Sequence, residues 1–148
     1  MRYATLLIGL QLLTAPGADA QETARPLVRP GETLTYRVRS ARFGDIGTAV
    51  MRVESDSVRG RAAYRLSFDF NAKIAVFKVS DQTRSWLDQE TLTTLRYTKA
   101  ERSPIGKRDE IVDVFTTLGS WTGLNRVNVL ACTEPLEELA FIYLVRGL

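Results

Sequence analysis

Asp109 and Glu110 come nearest to the pair of carboxylates with which a glycosidase works, one as acid and one as base or nucleophile. They are neighbours in a run of alternating polarity. Neighbours on a strand point to opposite faces, so these two do not converge on one bond. Glu137 and Glu138 fall where a helix begins and answer the positive end of its dipole. Asp81, Asp88 and Glu90 fall near turns, where solvation or capping accounts for them. The 148 residues include no histidine and one cysteine, Cys132. That closes off a His-based triad, a Cys–His dyad, a zinc cluster and an intrachain disulfide. No glycine-rich phosphate loop exists, and Gly44 and Gly47 serve a hairpin turn. The expectation is a non-enzymatic protein with no catalytic residues, no cofactor and no metal.

What remains is binding chemistry. Arg37, Arg39, Arg52 and Arg65 occupy the outward phase of neighbouring strands. Paired, those strands would gather the arginines into a basic face able to meet anionic lipid headgroups or acidic polysaccharide. The plainer reading is the wet face of a half-buried antiparallel sheet. The aromatic residues, Tyr64, Phe68 and Phe70 among them, fall on the inward phase expected of a core. Phe77 and Trp86 flank an irregular segment and are the candidates for lining the mouth of an apolar ligand groove. Lys plus Arg is 20 and Asp plus Glu is 17, a net charge of +3. That excess is too slight to argue for nucleic acid, and no recognition motif is present.

These residues sit on elements with a period of two. Leu34, Tyr36 and Val38 alternate with polar residues, as do Ala49, Met51 and Val53, and Tyr64, Leu66, Phe68 and Phe70. Further strands are predicted over Val79 to Leu87, from Leu92 through Tyr97, and over Arg108 to Phe115. Strands every 10–14 residues with hairpin turns indicate an antiparallel sheet. Between them, Asn71 to Lys78 is spaced like a short helix or an irregular crossing. Trp121 and the cluster Val127 to Ala131 read as buried, and Cys132 beside them as a buried small hydrophobe. Glu134 to Val145 reads as a helix, with Leu136, Leu139, Ala140, Tyr143 and Leu144 on one stripe. Thr133 is its predicted N-cap, Pro135 sits in its first turn, Arg146 complements its C-terminal end and Gly147 stops it.

The first twenty residues read as a secretory signal. Met1 and Arg2 give a positive start, Ala4 to Ala15 carry no charge, and Ala18-Asp19-Ala20 has the small-x-small form of a cleavage site. The apolar run of about a dozen residues is shorter than the ~20 that span a bilayer, so no span is expected after cleavage. Residues 21–31, with Pro26, Pro30 and Gly31, read as a flexible lead-in. The single β-rich domain is therefore 32–148, and the expected location is periplasmic or secreted.

Pro30-Gly31-Glu32-Thr33-Leu34-Thr35-Tyr36-Arg37-Val38 and Gly47-Thr48-Ala49-Val50-Met51-Arg52-Val53 resemble the opening of the DUF3108 family of exported bacterial proteins. Val76 to Asp81, Leu87 to Tyr97, Lys107 to Glu110 and Pro135 to Tyr143 are similar to later segments of that family, in the same order. The resemblance implies a curved sheet of the kind found in periplasmic lipoprotein carriers, and brings no catalytic residues. Family members continue past the helix with further strands, which implies that the domain here is incomplete.

The fold expected is mostly β: a curved antiparallel sheet or partial barrel with one C-terminal helix on the concave face. The function expected is that of an envelope protein binding an apolar or amphipathic, lipid-like ligand. The alternative is an assembly protein that contacts another envelope component through sheet edges and the arginine-rich face. A continuous apolar cavity would favour the first, and a closed core with an exposed patch the second.

Overall fold

A computed structural model describes residues 28–124 and 126–146. Residues 1–20, read above as a secretory signal, the expected lead-in as far as residue 27, and Gly147 lie outside the described residues. The chain forms eight strands in a single sheet: β1 (Thr33–Ser40), β2 (Gly44–Val58), β3 (Arg61–Ile74), β4 (Phe77–Asp88), β5 (Thr94–Ser103), β6 (Gly106–Phe115), β7 (Ser120–Gly123) and β8 (Arg126–Val129). Every neighbouring pair is antiparallel and the spatial order follows the chain order. The sheet is curved and unclosed, and α1 (Glu138–Val145) packs across β3 and β4.

The period-two pattern becomes a two-faced sheet. On the face carrying α1, Leu34 stands opposite Met51, Met51 opposite Phe68, and Leu66 opposite Ser85. Met51, Val53, Leu66 and Leu87 are buried there with Leu139, Ala140 and Tyr143 of the helix, and Tyr64 and Phe68 pack half-buried against them. A smaller cluster of Val58, Ala63 and Leu95, with Trp86 against it, forms separately.

Five expectations change. Asn71 to Lys78 is neither helix nor crossing but a hairpin: Ile74 faces Phe77, leaving Ala75 and Val76 as the loop, with Ala75 at φ 55°. Two-residue hairpin loops favour positive φ, which glycine and asparagine normally supply; an Ala-Val loop gives no such cue. The end of the lead-in is fastened, because Val28 is 3% exposed in the core and the Gly31 amide donates to the Val53 carbonyl at 2.8 Å. Gly47 is a strand residue. A Cβ there would collide with the Asn71 carbonyl oxygen and lie 2.7 Å from the Ala72 Cα, so it permits close approach of β2 and β3, while Gly44 at φ 69° serves the turn.

The other two concern the C-terminal third. The helix starts at Glu138 rather than Glu134, and its cap is Glu137, whose carboxylate accepts from the amides of Leu139 and Ala140 at 2.9 and 2.6 Å. The preceding residues are held by β5 instead: the Thr94 amide donates to the Pro135 carbonyl, and the Glu137 amide to the Thr94 hydroxyl. Val127 and Val129 are not buried. They lie 75% and 84% exposed on β8, the end strand of the described sheet, and Cys132 beyond them is exposed too.

Candidate functional site

The strand register lays out one continuous row. Met51 on β2 faces Phe68 on β3, Phe68 faces Thr83 on β4, and Thr83 faces Lys99 on β5. Directly opposed side chains share a face, so the row runs from apolar to charged across the side that carries α1. Leu139 and Ile142 of α1 wall this floor on one side, together with Glu137 and Glu138. The result is an open cleft of about 170 Å³.

Its charged end is internally satisfied. Lys99 Nζ lies 3.1 Å from Asp81 Oδ2, and the Thr83 hydroxyl donates to Asp81 Oδ1 at 2.9 Å. The hydrogen bond to Asp81 raises the Lys99 ammonium above its ordinary value, so it stays charged. Burial raises the Tyr97 phenol, which stays neutral at physiological pH. Glu137 is committed to capping the helix. The cleft therefore presents an apolar floor of Met51 and Phe68, a half-exposed apolar wall at Ile142, and an ion pair at the far end. Such a surface accepts an apolar segment and orients a polar group beside it.

The residues singled out from sequence lie elsewhere. Trp86 faces Arg65 on the side of the sheet away from α1, and its indole N–H donates to Asp56 Oδ2 at 2.9 Å. That hydrogen bond, with the Ser57 amide, holds the Asp56 carboxyl below its usual range. Phe77 is at the β3–β4 hairpin, 53% exposed. Neither lines the cleft.

The four arginines do lie on a common outward phase, but each is answered. Arg37 and Arg39 reach Asp45, at 4.0 and 2.5 Å. Arg52 pairs with Asp69 at 3.1 Å, and Asp69 also takes Arg84 at 2.6 Å. Arg65 holds Glu54 at 2.8 Å and Asp56 at 3.4 Å. The face is a lattice of opposite charges, not a basic surface. Glu54 and Asp69 alternate on the same strands as the arginines, so this compensation was present in the sequence as a signal. Met51, Asp81, Thr83, Lys99 and Ile142 were missed as a group, since only the register brings them together.

Among the described residues no three His, Cys, Asp or Glu side chains gather as metal ligands, and no helix is long and apolar enough to cross a membrane. Among known families, the one described as "Protein of unknown function (DUF3108)" matches residues 35–123, from within β1 to the end of β7. No curated protein and no solved structure matches the chain.

Proposed function

The chain belongs to the DUF3108 family, and from that premise we propose that it is an exported, non-enzymatic envelope protein whose cleft beside α1 holds part of an apolar or amphipathic, lipid-like ligand. The observation that carries this reading is the row Met51, Phe68, Thr83, Lys99, which passes from apolar to charged within one open cleft. At about 170 Å³ the cleft is smaller than the ~300–1,000 Å³ that engulfs a drug-sized ligand. It suits the end of an acyl chain, with the remainder lying over the half-exposed Ile142. The non-enzymatic part is supported by the employment of its charged groups: Asp81 is spent on Lys99 and Thr83, and Glu137 on the helix cap. Export rests on the charge, apolar run and small residues of positions 1–20.

The test is titration with the fluorescent apolar probe N-phenyl-1-naphthylamine, followed by displacement with dodecanoate. Saturable binding is expected, weakened at least tenfold by Ile142→Asp, whose side chain lines the cleft without entering the core cluster. Absence of saturable binding, or binding indifferent to Ile142→Asp, would refute the reading.

A second reading, assembly with another envelope component, is favoured by β8, which ends the described sheet with Val127 and Val129 exposed. An unpaired strand edge is a template for another strand. The arginine face adds nothing to it, because its charges are already paired.

A further inference from the structure

In an antiparallel meander, every link that follows an odd-numbered strand falls at the same rim of the sheet. Here four links do so, after β1, β3, β5 and β7. Each carries a large apolar side chain into solvent. Phe43 is 49% exposed, Val76 79%, Phe77 53%, Ile105 98% and Leu124 75%. The opposite rim, among the described residues, offers fewer from its links: Leu118 after β6, with Val129 at the end of β8 and the 42% exposed Leu136 beside the start of β5. Leu92, also at that rim, packs into the core. Burial drives side chains such as Ile105 out of water when it can, so their concentration at one rim calls for a partner.

The charges beside them say which. Lys73 on β3 faces Lys78 on β4, and Arg102 on β5 faces Lys107 on β6. Ser80 connects the two pairs by facing Arg102. The strand parity puts all four cations on the face away from α1, one behind the tips on each of four neighbouring strands. At strand spacings of about 4.8 Å the row is roughly 14 Å wide. Of the four, only Arg102 has a carboxylate partner among the described residues, Asp109 at 2.6 Å. An open groove of about 460 Å³ runs beside Lys73, Lys78 and Arg102, with Asn71 and Ser80 in its wall. At the first tip, the Arg42 guanidinium lies 5.3 Å over the Phe43 ring.

Apolar tips ahead of a row of cations, three of them without a carboxylate partner among the described residues, match the layering of an anionic bilayer, acyl chains beneath phosphates. We infer that this rim docks the protein onto an anionic phospholipid surface. Phe77, Val76 and Ile105 enter the headgroup layer, while Lys73, Lys78 and Lys107 meet its phosphates. The inference is independent of the cleft, which lies on the other face.

Flotation of the protein with vesicles tests it, using phosphatidylcholine alone and phosphatidylcholine with phosphatidylglycerol. Binding is expected only with phosphatidylglycerol and should weaken as salt rises. Lys73→Gln/Lys78→Gln should bind about 30-fold more weakly, and Phe77→Ser/Ile105→Ser about tenfold. All forms share residues 1–27 unchanged, so differences between them report the rim. Neither double variant should melt below the wild type, since the altered side chains are exposed. Failure to float with either vesicle, equal flotation with both, or flotation undiminished in either double variant would overturn the inference. So would a wild-type dimer that Phe77→Ser/Ile105→Ser turns into a monomer, which would assign the rim to a second copy of the chain.

Discussion

Lys73 and Lys78 stand directly opposite each other on adjacent strands, both exposed, with no ion-pair partner among the described residues. Like charges so placed weaken a sheet. The same sheet answers Arg65 with Glu54 and Arg52 with Asp69, so the uncompensated pair stands out. Lys78→Glu should therefore stabilise the fold by about 0.5 kcal/mol, read as a higher urea midpoint, while impairing vesicle binding. A lower midpoint would show that the opposition carries no cost.

Asp88 anchors the β4–β5 connection. Its carboxylate accepts from the Glu90 amide, the Thr91 amide and the Thr91 hydroxyl, and pairs with Arg61 at 2.7 Å. Burial alone would raise this carboxyl, but the Thr91 and Glu90 amides, Arg61 and the Thr91 hydroxyl together bring it below its ordinary value. A depressed carboxyl contributes stability that is complete above its unfolded pKa, near 3.9, and is lost as pH falls through the folded value. Asp88→Asn should cost about 2–3 kcal/mol at neutral pH and flatten the acid limb of a stability profile. An unchanged acid limb would place that sensitivity elsewhere.

Much of the sheet was legible because alternation survives in the sequence wherever a strand has one wet face, as at Met51 and Val53 or Leu66 and Phe68. Three kinds of feature were not. The Ala75–Val76 loop lacks the residues that usually mark a turn. The four-residue strands β7 and β8 are too short for a period to emerge, and β8, being uncovered, leaves valines in water. The helix start depends on Thr94, about forty residues earlier, holding Pro135 and Glu137. The cleft was illegible for a related reason: Met51, Phe68, Thr83 and Lys99 come from four strands, and register is not written in any one of them.

Tyr143 places its ring in the core at 1% exposure, yet its hydroxyl has no hydrogen-bond partner among the described residues. Burial pushes the phenol up to about 12. Removing an unsatisfied buried hydroxyl while keeping the ring should be neutral or gain about 1 kcal/mol, so Tyr143→Phe is expected to melt no lower than wild type. Tyr143→Ala should lose about 3–5 kcal/mol. A raised phenol keeps its full contribution below pH ~10 and loses it as pH climbs toward the folded value, so Tyr143→Phe should also soften alkaline unfolding. A marked loss of stability in Tyr143→Phe would mean that the hydroxyl is satisfied after all.

Gly47 tests the close approach of β2 to β3. The Cβ of alanine would meet the backbone at Asn71 and Ala72, which cannot rotate away as a flexible side chain could. Gly47→Ala should cost about 2–3 kcal/mol, whereas Gly106→Ala, in open space at another turn, should cost less than about 1 kcal/mol. Equal effects in urea unfolding would contradict the register assigned to these strands.

The most direct test of the central claim is native mass spectrometry of the protein recovered from the periplasm of an expressing bacterium. The expected result is the mass of residues 21–148 carrying a lipid-sized adduct, with the adduct lost in Ile142→Asp. The bare mass alone, in wild type and variant alike, would contradict it.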